Sequence, residues 1–251
     1  MEYRVRPNLM KEKRKRGERV RSVLLDILSP DLLEVFGMVG YDAFMLEGEH
    51  HAIDENLYVQ LIRTGELYGM TPSIRIRTIQ PGPVARLLDI GIQGITATHI
   101  HSAEDLKNLI RCAKYPPEGE RGFGRFSRLN CWGMADEAEA IKAGNEALWL
   151  GGLVEDMEGV EHLDEILAVE GIDNIGIGAS DLTASVGHPG DYDHPEVVRV
   201  MERIGESMAR AGREWRVPRF GKYTGASGTL ISILLREHLE RMDTPAPVSA
   251  G

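Results

Sequence analysis

The chain has 251 residues, 42% of them apolar and 27% charged, which is ordinary globular usage and excludes a disordered, collagenous or coiled-coil protein. At this length a single α/β barrel domain is the default, although two smaller domains would also fit. The 39 acidic and 29 basic side chains give a net charge of −10, but the first 21 residues hold nine Lys and Arg against three Glu, so that segment is +6 and the remainder −16. A body of that charge repels phosphate backbones, which argues against nucleic acid as the main partner.

The basic run KEKRKRGER at 11–19 reads as a solvated helix face or tail, with a docking patch for an acidic partner as the alternative. Beyond it, short apolar, β-branched runs alternate with helical patterns. In chain order the sequence predicts a strand at 23–28, a helix at 31–38, a strand at 42–46, a helix at 54–68, a strand at 73–77 and a helix at 83–89. A strand at 94–98, a helix at 103–113, a strand at 147–154, a helix at 159–169, a strand at 174–177 and a helix at 195–211 follow. Ser29, Asp54 and Ser102 stand where N-caps belong, and Pro30 occupies a first helical position. No repeat and no Gly/Ser/Pro-rich linker divides the chain, so residues 1–251 read as one domain, with the basic segment 1–21 in front and a polar tail at 243–251.

Parallel neighbours need a crossover, and a helix is the usual one, so this rhythm implies a parallel sheet. The favoured architecture is a (β/α)8 TIM-type barrel. An open doubly wound sheet is the alternative, but no GxGxxG or GxxxxGK[ST] follows any strand. Cys112 and Cys131 are too few for a disulfide framework, and no apolar run reaches the ~18–20 residues needed to cross a bilayer. The charged N-terminus lacks a signal-peptide core, so a reducing, cytoplasmic setting and no membrane partner are expected.

A barrel performs its chemistry at the C-terminal ends of its strands. Those ends carry Glu47 to His51, Arg75 to Arg77, Thr98 to His101, Glu155-Asp156, and Gly178-Ala179-Ser180-Asp181. Glu155 and Asp181 lie one βα unit apart; two carboxylates without thiolates suit a hard cation such as Mg²⁺ or Mn²⁺, while either acid could instead cap the helix that follows it. His50 is the candidate general base, against a capping or surface role. Arg75 sits in the apolar run SIRI and needs an anionic partner there, either a substrate carboxylate or a structural acid. Gly178, Ala179 and Ser180 could offer free backbone N–H groups to an anion. His99 and His101, at i and i+2, extend the site or are structural.

EGEHHAID, PSIRIR with LLDIGIQGI, KYPPEGERGFG, VEDMEGVEHLDEILAVEGIDNIGIGASDL and VGHPGDYDHPEV together resemble the HpcH/HpaI family of class II, metal-dependent pyruvate aldolases, over roughly residues 8–212. The resemblance implies a (β/α)8 barrel assembled as a homo-oligomer, a trimer or a hexamer of two trimers with the last helix exchanged. It also implies reversible cleavage of a 4-hydroxy-2-oxoacid to pyruvate and an aldehyde with Mg²⁺, Mn²⁺ or Co²⁺. By the same resemblance Glu155 and Asp181 hold the metal, His50 is the base and Asp89 the acid paired with it. Arg75 faces the pyruvate oxygens, and the Gly178, Ala179 and Ser180 amides bind the carboxylate. Oxaloacetate decarboxylation, or C–C cleavage of the citrate lyase β and malyl-CoA lyase type, is the neighbouring enzymatic reading. A non-catalytic barrel subunit is a third.

The chain departs from the family pattern at Glu47, Leu153, Thr98 and His99, where the family has aspartate, glutamine, proline and another residue. It departs most after residue 211. Between there and a last helix at 228–241 only 16 residues remain, enough for one strand, with 214–220 as the candidate, and not for the seventh and eighth units. The barrel is therefore expected to be incomplete or remodelled around those units.

Overall fold

The structure, a computed structural model, describes residues 4–52, 54–213 and 226–243. Helix α1 (Leu9–Lys15) precedes strand β1 (Ser22–Leu25), and then come α2 (Pro30–Val39), β2 (Ala43–Glu47), α3 (Glu55–Leu67), β3 (Thr71–Ile76), α4 (Pro81–Asp89), β4 (Gly94–Ala97) and α5 (Ala103–Ala113). After a long loop the chain continues through α6 (Glu137–Ala147), β5 (Trp149–Val154), α7 (Met157–Glu161), α8 (Leu163–Leu167), β6 (Asn174–Ile177), α9 (Ala179–Ser185), α10 (Pro195–Arg210) and α11 (Ser227–Asp243).

The strands form one parallel sheet in the order β1-β2-β3-β4-β5-β6, curled into a half-barrel. Alternation along each strand sets its two faces. Phe44, Leu46, Ile74, Ile76 and Ile95 are buried in one apolar core with Leu33, Tyr58, Leu61, Leu88 and Leu106 of the helices, which places the helices on the convex side. The opposite row, Met45 and Glu47 on β2, Ser73 and Arg75 on β3 and Thr96 on β4, therefore faces the concave side, and its polar character suits a lined cavity.

The predicted caps operate. Ser29 Oγ accepts from Leu32 N, the Asp54 carboxylate accepts from Asn56 N and Leu57 N, and Ser102 forms a reciprocal capping box with Asp105. Among the predicted elements, the first strand and the helix at 159–169 change most. Strand β1 stops at Leu25 and not at 28, because Asp26 turns to accept from Ser227 Oγ at 2.5 Å and Gly228 N at 2.8 Å, anchoring the start of α11. The helix expected at 159–169 breaks at His162 into α7 and α8.

Of the expected (β/α)8 barrel, incomplete or remodelled around its last two units, the described residues form a half-barrel. Six strands are present, and the next contact is a single parallel bridge between Leu24 of β1 and Ala226. The strand proposed at 214–220 lies outside the described residues, as does most of the tail at 243–251. The basic N-terminal segment, expected as a solvated helix face or tail, is instead tied to the body of the protein. Asn8 donates to Gln93 O and Ala147 O, Met10 N donates to Thr71 Oγ1, Lys11 reaches Leu148 O and Asp173, and Lys13 pairs with Asp42 at 2.7 Å. All these partners stand at the starts of β2 to β6, so α1 covers the bottom of the sheet, with the Arg14 guanidinium 5.7 Å over the Trp149 ring. No helix among the described residues is long and apolar enough to cross a membrane.

Candidate active site

Register brings the first pair together. Glu47 at the end of β2 is the cross-strand neighbour of Arg75 on β3, and both point to the concave side. Arg75 Nε and Nη2 each lie 2.5 Å from Glu47 Oε2, so a structural acid answers the arginine's need for an anion. The other oxygen of Glu47 accepts the N–H groups of Glu49 (2.8 Å) and His50 (3.0 Å) and so shapes the turn that follows β2. Gly48 in that turn is obligatory, since a Cβ there would sit 2.7 Å from Arg75 O. Beneath it the Tyr58 hydroxyl donates to Glu47 O at 3.1 Å, and burial, with Glu47 nearby, pushes that phenol up to about 12.

Glu49 is the hub. Its side chain is only 4% exposed; Oε1 accepts from Thr98 Oγ1 at 2.7 Å and lies 3.2 Å from His99 Nε2, while Oε2 lies 3.5 Å from His50 Nε2 and 3.8 Å from Arg75 Nε. His99 follows β4 with φ 51, a left-handed conformation. Its N–H donates to Glu155 Oε2 at 3.0 Å, and its Nε2 is 3.9 Å from that oxygen. Glu155 is buried just past β5. Burial raises its carboxyl above the ordinary carboxylate range, with Glu49 and Asp181 pushing the same way and only the His99 N–H and the His99 ring opposing. Gly178 passes so close that a Cβ there would collide with the Glu155 carboxylate.

Asp181 stands in the first turn of α9, exposed and near enough to Glu155 to act on its charge. Ala179 is buried and Ser180 is exposed, with Ser180 Oγ 3.2 Å from Tyr192 Oη. His50 is largely exposed at the rim beside Glu49. His101 Nε2 lies 2.7 Å from Asp156 Oδ2, Asp156 also caps α7, and His99, His101 and Asp156 form a group whose ligand atoms lie within 4.8 Å of one another.

Asp89 does not join these residues. It ends α4, and a helix that returns antiparallel to the strands finishes at the opposite end of the sheet. There its carboxylate accepts from Arg121 Nη2 at 2.6 Å, so within one chain the expected His50–Asp89 pairing is not made. The same contact explains much of the YPPEGERGFG string, since Arg121 is buried with its guanidinium 4.4 Å from the Tyr115 ring.

The carboxylates of Glu47, Glu49 and Glu155, on side chains at most 4% exposed, thus share one rim with Asp181, while Arg75 is the most buried cation beside them. Glu49, His99 and Glu155 each present a ligand atom, all within 4.8 Å of one another. Excess buried negative charge with converging oxygen and nitrogen donors fits a divalent cation. Glu47 and Glu49 were legible only as members of a string; their spacing of two, which puts both on one face of an extended chain, is the signal that could have marked them as a pair.

A family model described as HpcH/HpaI aldolase/citrate lyase matches residues 23–221. A 5-keto-4-deoxy-D-glucarate aldolase from Escherichia coli is 31% identical over 185 residues, 74% of this chain and 72% of that protein. Among solved structures, the citrate synthase SbnG aligns with a TM-score of 0.81 at 26% identity, over 93% of this chain and 96% of its own. An HpcH/HpaI aldolase from Desulfitobacterium hafniense DCB-2 aligns with a TM-score of 0.81 at 25% identity, over 95% of this chain and 98% of its own.

Proposed function

Because the chain belongs to the HpcH/HpaI aldolase/citrate lyase family, we propose that it is a divalent-metal-dependent carbon–carbon lyase that reversibly cleaves a 4-hydroxy-2-oxoacid to pyruvate and an aldehyde. The observation that carries this reading is the convergence of Glu49, Glu155, Arg75, His50 and His99 on one strand-end rim, with Asp181 beside Glu155. Glu155 and Asp181 are the residues that would hold the cation. When bound, a divalent cation supplies Lewis acidity at the substrate's 2-oxo group.

The chain's own side chains do the rest. Glu47 fixes the Arg75 guanidinium from behind, leaving its remaining N–H groups for the carboxylate and oxo oxygens of the pyruvate half. The amides of Ala179 and Ser180 at the start of α9 offer a second set of donors to that carboxylate, whereas the Gly178 N–H, expected to join them, is given to Val154 O at 3.0 Å. His50 accepts the 4-hydroxyl proton as the C3–C4 bond breaks, releasing the aldehyde and leaving the electron pair on the pyruvate enolate. That enolate becomes pyruvate when C3 takes up a proton to replace the one His50 has accepted, which restores the balance over the cycle. Asp89, held by Arg121 at the far end of the sheet, has no part in these steps within one chain.

Metal-stripped protein is expected to release pyruvate from a 4-hydroxy-2-oxoacid only after Mg²⁺, Mn²⁺ or Co²⁺ is restored, and Asp181→Ala is expected to lower that rate at least ~100-fold. A lactate dehydrogenase-coupled assay reads both. Release that survives both EDTA and Asp181→Ala would overturn the metal assignment.

The likeness to a citrate synthase at 26% identity favours a second reading, in which the same enolate chemistry is used with a different carbon partner. Comparing aldehyde, CO₂ and condensation products from labelled oxaloacetate separates the two. The assembly we propose is a homo-oligomer, a trimer or hexamer, supported by Leu234, Leu235 and Leu239 standing exposed along α11.

A further inference from the structure

We propose that His99 is a protein ligand to the cation at this rim, adding an imidazole nitrogen to the carboxylate oxygens and biasing the site toward Mn²⁺ and Co²⁺ over Mg²⁺. This deepens the metal-dependent reading above and rests on it.

The first ground is backbone conformation. His99 has φ 51, a left-handed region that is unfavourable for an L-residue with a Cβ and persists where the surroundings enforce it. The residues on either side are ordinary ladder members: Thr98 N donates to Ile76 O and Ile100 N to Leu153 O, each at 2.9 Å. The left-handed step between them lets both bonds form while the imidazole turns inward.

The second ground is position. His99 Nε2 lies 3.2 Å from Glu49 Oε1 and 3.9 Å from Glu155 Oε2. Donor atoms around one ion with bonds of ~2.1 Å stand roughly 3–4.3 Å apart, so a single cation can take the nitrogen and either carboxylate with only small side-chain adjustments. Glu155 is already oriented by the His99 N–H, so one residue both aims an acidic ligand and brings a nitrogen beside it.

The third ground is ligand chemistry. Carboxylates and water alone suit Mg²⁺, whereas an imidazole favours first-row transition ions through the stronger nitrogen bond. His101, two residues on, lies 2.7 Å from Asp156 and forms with it and His99 a second group of donors, so His101→Gln distinguishes an ion held there from one held beside Glu49 and Glu155.

The test uses metal-stripped full-length protein, titrated with Mn²⁺, Co²⁺ and Mg²⁺ by calorimetry, with pulsed EPR on the Mn²⁺-loaded form. The parent is expected to bind Mn²⁺ and Co²⁺ at least ~10-fold more tightly than Mg²⁺. His99→Gln and His99→Asn should lose ~10–100-fold in Mn²⁺ affinity with Mg²⁺ affinity nearly unchanged. The imidazole ¹⁴N modulation on Mn²⁺ should vanish in both variants and persist in His101→Gln. Two substitutions and a thermal melt on each separate ligand loss from misfolding. Modulation that persists in folded His99 variants, or equal Mn²⁺ and Mg²⁺ affinity in the parent, overturns the role of His99. Failure of the parent to bind any of the three ions overturns the metal-dependent reading as well.

Discussion

At the scale of single residues, Glu155 concentrates the physical tension of the site. Its carboxyl is raised by burial and by the charges of Glu49 and Asp181, so without metal the folded chain binds that proton more tightly than the unfolded chain does. A raised acid contributes full stability only below its unfolded pKa, and the contribution is lost as pH rises through the folded value. Metal-free protein should therefore lose stability across that interval. Glu155→Gln should melt at the parent's temperature near pH 4 and above it at pH 7 in EDTA. Differential scanning calorimetry checks this, and parallel curves for parent and variant at all pH values would refute it. The types and strand-end positions of Arg75, His50, Glu155 and Asp181 were legible in the sequence, because alternation and unit spacing locate strand ends. The partnership of Arg75 with Glu47 was not, since parallel register is set by the packing of whole strands and leaves no mark on either residue alone. For Asp89, a local string resemblance suggested a partner that helix direction denies within one chain.

At the scale of elements, the six strands and most helices follow from periodicity and caps, and the exceptions have identifiable causes. Helix α6 went unread because its sequence, EAEAIKAGNEA, buries only Ala140 and Asn145 and so carries a weak apolar stripe. The docking of α11 depends on one short contact set. Asp26 is partly buried, which pushes its carboxyl up, yet donation from Ser227 Oγ and Gly228 N outweighs that and holds it below the ordinary aspartate range. Asp26→Ala removes this anchor and should cost about 1–3 kcal/mol, a loss seen as a lower urea midpoint. Hydrogen exchange should accelerate first over the opening turn of α11. Unchanged exchange there would show that α11 is held by other means.

At the scale of the whole molecule, the described residues form a half-barrel whose first strand is bridged only by Ala226 beyond its partner β2. A shortened final quarter was legible by counting residues, whereas the way it closes was not, because closure depends on long-range pairing. Light scattering is expected to give the mass of a trimer or hexamer. Leu234→Glu combined with Leu235→Glu should shift the protein to smaller species, because charge on exposed leucines opposes burial between subunits. A monomer in the parent protein would remove the oligomer from the proposal.

The placement of α1 has a consequence for how the chain is made. Lys11, near the beginning of the chain, finds its partners at Leu148 O and at Asp173, 162 residues away, and Asn8 finds one at Ala147 O. The ribosome delivers α1 ahead of every strand, and the strand starts that receive it do not all exist until those later residues have emerged. The full set of α1 contacts can therefore form only after the strand starts that receive it have been made. Translation order and docking order run in opposite directions for this helix.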